Sequence, residues 1–233
     1  GRSISIDSSD NTLIIGTANG TVMSESWVDS SYGAVLQPSG TGALEISAIA
    51  TGTDGVIWAV TGCDLRFLPP GGGEGALINW GEYQFCSSSS DKATDILVNT
   101  DNVIISTGAN GVYVIEYNLS SNQSQIGIQG ITRWDSGNFL ASNRITDLQM
   151  MGNQLLISTE NAGISRRDLA TSTWLSRWST GNTLASNNVL GTSVSDGWLH
   201  VLAGNTLQSY EISSGIFRAQ ETMPGLGLLD SAV

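Results

Sequence analysis

The stretch 145-ITDLQMMGNQLLISTENAG-163 sets two short β-forming runs on either side of Gly152-Asn153 and ends in a Gly/Asn turn. A Gly-Asn pair accepts the positive φ of a two-residue hairpin, so this stretch predicts one strand turning directly into the next. Its second run recurs. The segments 12-TLIIGTANG-20, 56-VIWAVTG-62, 103-VIISTGANG-111, 155-LLISTENAG-163 and 199-LHVLAGN-205 each join an apolar run to a small or Thr residue and a Gly/Asn turn. Between the markers Thr17, Thr61, Thr107, Thr159 and Ala203 the spacings are 44, 46, 52 and 44 residues. A period of about 40 to 50 residues marks propellers and solenoids.

A turn signal precedes every copy: Asp10-Asn11, Asp54-Gly55, Asp101-Asn102, Gly152-Asn153 and Asp196-Gly197. Before each lies a short strand of mixed polarity, 3-SISIDSS-9, 47-SAIATGT-53, 94-TDILVNT-100, 145-ITDLQMM-151 and 189-VLGTSVS-195, expected to line a central channel. A third segment such as 112-VYVIEYNL-119 or 164-ISRRDLAT-171, and a fourth such as 173-TWLSRWS-179, complete four strands per unit. No segment sustains a helical period. The links between units also repeat, since 133-RWDSGNFLASNRI-145 returns as 177-RWSTGNTLASNNV-189 at an offset of 44, with a weaker echo at 39-SGTGALEISAI-49.

The expectation is an all-β chain, a five-bladed β-propeller of four-stranded antiparallel blades, as a single domain over 1–233 with blades near 3–46, 47–92, 93–143, 144–187 and 188–226. The phasing is integral. The segment 226-LGLLDSAV-233 matches the link that introduces a first strand, which predicts a ring closed by packing first blade on last, with Gly1 near Val233. Five blades excerpted from a larger propeller is the alternative reading.

The pattern L-x-S-N-x-I/V, a strand, then G-x-L-x-I-x-T and x-G-I/V, best seen in 140-LASNRITDLQMMGNQLLISTENAGI-164, resembles the two-component-regulator type of repeat within the WD40/YVTN-like propellers. That resemblance implies a propeller and, as one functional reading, a periplasmic sensor segment of a signalling protein.

Composition narrows the partners. The formal charge is -12, and Lys92 is the only lysine beside eight arginines, so no basic surface is expected for nucleic acid. No apolar run reaches the roughly 18 residues of a membrane span. The first residues also lack the basic start and apolar stretch of a secretion signal.

Cys63 and Cys86 flank 69-PPGGGEG-75. Read as opposed positions of one hairpin, their index sum of 149 centres the turn between Glu74 and Gly75 and places the thiols face to face. A disulfide is the first reading, two buried free thiols the second, and a metal or redox role the third, in the absence of CxxC.

His200, the only histidine, lies inside an apolar strand without arranged partners, and no G-x-S-x-G occurs. No catalytic residue, metal ligand or cofactor is therefore expected. Most carboxylates fall at turns; Asp95, Asp147, Glu45 and Asp230 remain near first-strand starts, where a cation site is the sharper alternative to plain solvation. Trp80, Trp134 and Trp178 hold comparable places late in their units and read as packing between outer strands, with a sugar platform as the alternative. Three glycosylation sequons, at Asn19, Asn118 and Asn122, fall at expected turns.

The link residues Asn143, Arg144, Asn187 and Asn188 are the candidate ligand contacts, expected near one rim of the channel. Low lysine, acidity and the disulfide point to an extracellular, cell-surface or periplasmic binding propeller with a protein or glycan partner. A polysaccharide-acting enzyme is the alternative from another class, and it would need two carboxylates at glycosidase spacing.

Overall fold

A computed structural model describes residues 3–7, 12–26, 32–36, 45–69, 81–87, 92–120, 126–214 and 216–222. Among them are twenty strands and no helix. In chain order these are β1 (Ser3–Asp7), β2 (Thr12–Gly16), β3 (Val22–Ser26) and β4 (Tyr32–Leu36); β5 (Ala48–Thr51), β6 (Ile57–Thr61), β7 (Asp64–Leu68) and β8 (Gly81–Gln84); and β9 (Ala93–Val98), β10 (Asn102–Thr107), β11 (Val112–Leu119) and β12 (Ile126–Trp134). They continue with β13 (Ile145–Met151), β14 (Gln154–Thr159), β15 (Gly163–Asp168) and β16 (Thr173–Trp178), then β17 (Val189–Ser195), β18 (Trp198–Ala203), β19 (Thr206–Glu211) and β20 (Ile216–Thr222).

Each set of four consecutive strands forms its own antiparallel sheet, so the fold class is the expected one, five four-stranded blades of β-propeller type. The second strands of the middle blades are buried along nearly their whole length, which is why they read as continuous apolar runs.

The chain divides into two compact units, one holding 1–107 and 112–133, the other 108–111 and 134–233. In the first, β5 lies beside both β1 and β9. Trp58 is fully buried among Val60, Leu65, Val103, Ile105 and Ile115, its ring 5.4 Å from Phe67 and 4.8 Å from Tyr117. The Tyr117 hydroxyl donates to Asp54 Oδ2 at 2.9 Å, tying β11 to the β5–β6 turn. Burial, followed by that carboxylate, raises the phenol pKa well above its usual value.

In the second unit β13 lies beside β17. Leu156, Ile164, Val189, Leu199, Val201 and Tyr210 form its core. Asp147 on β13 accepts the backbone N–H of Thr192 at 2.8 Å and its hydroxyl at 2.5 Å, a polar bond between the two first strands.

Three details depart from the sequence reading. Two-residue hairpins form at Gly152-Asn153 and at Asp196-Gly197, where both residues of the latter pair take positive φ, 49° and 81°. Asp54-Gly55 instead sits in a loop closed by Gly52 N–H donating to Val56 O, and in the third blade the two-residue turn falls one position earlier than expected, at Thr100-Asp101, where Asn99 N–H donates to Asn102 O and the Asn99 side chain accepts the N–H groups of Asp101 and Asn102. The Asn99 side chain thus reinforces a tight turn that the backbone already closes.

A register shift also interrupts the first-to-second strand ladder where β9, β13 and β17 begin, at Thr94, Thr146 and Leu190. Such bulges add one residue without altering the hydrophobic pattern that sequence reading follows.

Cys63 and Cys86 form the disulfide, with Cα atoms 5.0 Å apart. The β7–β8 ladder pairs Asp64 with Gln84, an index sum of 148, and Phe85 N–H donates to Cys63 O. Both cysteines thus lie just past the strand ends, where a diagonal bridge replaces the directly opposed pair. Asp10, Asn11, the 70–80 loop with Trp80, Asn122, Asp230 and both chain ends lie outside the described residues, as does the expected approach of Gly1 to Val233.

Candidate functional site

The repeated link folds the same way both times. In the first copy Asp135 O accepts the N–H groups of Asn138, Phe139 and Leu140, Asn138 Oδ1 accepts Asp135 N–H, and Asn143 Oδ1 accepts Ser136 N–H. In the second, Ser179 O accepts from Asn182, Thr183 and Leu184, Asn182 Oδ1 from Ser179, and Asn187 Oδ1 from Thr180. The loops are then pinned to the neighbouring turns, Gly111 N–H donating to Asn143 O and Gly163 N–H to Asn187 O.

These bonds give the four sequence candidates structural work. Asn143 and Asn187 spend their side-chain carbonyls inside their own loops. Arg144 pairs with Glu160, whose N–H also donates to Arg144 O. Asn188 O receives Gly204 N–H at 2.7 Å, while its Oδ1 is buried without a donor among the described residues. Polar Asn-rich links satisfy backbone groups that a blade junction would otherwise strand.

The two copies differ where they face solvent. Phe139 is 52% exposed, and Thr183 occupies its place in the second copy. The rigid loop sends Leu140 inward and Phe139 outward, where its ring lies nearly parallel to Trp174 on β16, 5.5 Å away and tilted 11°. Trp174 meets the buried Trp134 edge-on at 5.3 Å.

The Arg167 guanidinium sits 4.8 Å from the Trp134 ring centre and 5.2 Å from that of Trp174, and Arg166 sits 4.3 Å over Trp178. Burial pushes the pKa of both arginines down from the ordinary guanidinium value. A cavity of about 260 Å³ opens beside them, lined by Phe139, Leu140, Ser165, Arg166, Trp174 and Arg177 among others.

The sequence reading of Trp134 and Trp178 as packing residues agrees with this geometry, since Trp134 is buried and Trp178 lies between Arg166 and Tyr210. It missed Phe139 and Trp174 as partners. The signal was present in the repeat itself: of the five positions at which the two links differ, 139/183 is the one that exchanges an aromatic for a polar residue.

The other chemistry-bearing residues are engaged locally. His200 Nδ1 lies 2.9 Å from Ser209 Oγ, Glu45 pairs with Lys92 at 3.1 Å, and Asp95 accepts Ile96 N–H. Among the described residues no three His, Cys, Asp or Glu side chains gather as a metal-ligand set.

No protein-family model matches the chain, and no curated protein sequence does. Solved structures do match it in fold. BamB from Moraxella catarrhalis aligns with a TM-score of 0.58 at 10% identity over 94% of this chain and 61% of its own. The computationally designed Ika8 protein aligns with a TM-score of 0.58 at 12% identity over 94% of this chain and 60% of its own. The chain therefore spans about three fifths of either, and at such identity the likeness is one of fold.

Proposed function

We propose that this chain is a non-catalytic binding module of an extracellular, surface or periplasmic protein, and that the Phe139–Trp174 face of the fourth blade is where it meets its partner. The observation that carries this is the half-exposed Phe139 stacked on Trp174 beside a cavity flanked by Arg166 and Arg177. An aromatic shelf next to cations suits recognition, with apolar area to bury and charge to orient the ligand.

The non-catalytic reading draws support from the carboxylates. Asp54, Asp147, Glu45, Glu82 and Glu160 are each held by a tyrosine, a threonine, a lysine or an arginine. The disulfide favours an oxidising compartment.

A test is to probe the immobilised chain with glycan and peptide arrays, beside Phe139→Ala. Binding on either array that Phe139→Ala reduces by about tenfold or more supports the reading. Silence on both arrays, or release of reducing sugar from an arrayed polysaccharide, contradicts it.

The link motif at 140–145 favours a second reading, a sensor segment of two-component-regulator type. A membrane-spanning helix and a kinase region in the same gene are its expected signature.

A further inference from the structure

We propose that the Phe139–Trp174 face, with Arg166 and Arg177 at its margin, takes an extended acidic peptide segment of a partner protein. The inference rests on the binding reading above and names the ligand.

Residues 133–177 hold five arginines (133, 144, 166, 167, 177) and four acids (135, 147, 160, 168), a local balance of 5 − 4 = +1 in a chain of net -12. The acids are already engaged. Glu160 pairs with Arg144, Asp147 accepts from Thr192, Asp135 Oδ1 receives Gly137 N–H, and Asp168 Oδ1 receives Thr171 N–H.

Arg166 has only neutral acceptors, Gln154 Oε1 at 2.8 Å and Ser176 O at 3.3 Å, and neither Arg167 nor Arg177 has a carboxylate partner among the described residues. A guanidinium held against an indole and partly stripped of water gains most from an incoming carboxylate, which matches its planar fork. The surface is therefore an anion receptor with an apolar floor.

The strand beside it selects the class of anion. In the order β13-β14-β15-β16, β16 is the last strand of its sheet, with Thr173, Ser176 and Arg177 exposed. A terminal strand offers backbone donors and acceptors that an added extended chain can pair with in register and a polysaccharide cannot, here over Thr173–Leu175, since Ser176 O and Arg177 O already accept from Arg166 and Asn182. Side chains of such a segment alternate between faces, so acidic residues can meet the arginines while apolar ones reach Phe139 and Trp174. The cavity, at about 260 Å³, falls below the usual range for a drug-sized ligand and suits a single side chain.

The experiment is a fluorescence-anisotropy titration of the whole chain with a labelled peptide of alternating glutamate and leucine. The lysine and leucine counterpart, and polygalacturonate as a non-peptide polyanion, run beside it. The acidic peptide should bind, and more weakly as salt is added. Arg177→Gln, at an exposed site that leaves the fold intact, should weaken it several-fold, and Arg166→Gln with Arg177→Gln by about tenfold or more.

Equal binding of the lysine peptide, unchanged affinity in Arg177→Gln, or capture of polygalacturonate without the acidic peptide overturns the inference. If array ligands still depend on Phe139 while the acidic peptide fails, the ligand assignment falls alone. If no probe depends on Phe139, the binding reading falls with it.

Discussion

Blades two and three are joined by apolar packing with a single polar accent, whereas blades four and five share an apolar core and add polar links to it. In the first pair Trp58 is buried among aliphatic and aromatic residues from both blades, and the Tyr117–Asp54 bond is the polar accent. In the second pair the 177–189 loop fixes itself through Asn182 and Asn187, then reaches the preceding blade through Gly163 N–H, while Asp147 holds Thr192. One repeat thus tolerates an apolar junction with or without an added polar lock, because a blade only needs its neighbour to bury its face and satisfy its turn. The loop that does the polar joining also leaves a position free to vary, and there the chain places Phe139 in one copy and Thr183 in the other.

The largest effect should come from breaking the apolar junction. Trp58→Ala should lose about 3–5 kcal/mol of stability by denaturant titration, the cost of a deleted buried aromatic and its cavity. Trp58→Phe should lose far less, since the indole N–H it removes is buried with no acceptor among the described residues.

The polar junction should yield next. Gly163 has φ of +82°, and a Cβ there would land on the carbonyl oxygen of Trp178, so Gly163→Ala should cost about 2–3 kcal/mol. Gly152→Ala is the control, with φ of +59° but open space around it, and should cost about 1 kcal/mol.

The smallest effect is a pH dependence confined to the polar side. Desolvation raises the Asp147 pKa above its usual value, against the opposing pull of the Thr192 bonds. The folded chain then holds that proton more tightly than the unfolded one. The contribution is full below the unfolded carboxylate pKa and fades as pH rises through the folded value. Asp147→Asn should remove that part of the slope in denaturation midpoints measured across mildly acidic pH.

Most of the fold was legible because its signals are local and repeated. The runs around Thr107 and Thr159 are strands buried on both faces, and Gly152-Asn153 is a true two-residue hairpin. The disulfide was legible as a pairing but one residue off in register, because Cys63 and Cys86 lie beyond the ladder. The bulges at Thr94, Thr146 and Leu190 leave no mark on the hydrophobic pattern.

The candidate site was legible only in part. Asn143 and Asn187 stand out as repeated polar residues, yet repetition here reflects a shared loop geometry. Phe139 and Trp174 come from a link and an outer strand that only the folded blade brings together.

The most direct test sets those two kinds of residue against each other on one binding assay. A ligand site at Phe139 and Trp174 predicts that Phe139→Ala loses array binding while Asn187→Ala, which gives up one loop hydrogen bond and about 1 kcal/mol of stability, keeps it. Binding that survives Phe139→Ala and disappears in Asn187→Ala would contradict it and return the ligand site to the links.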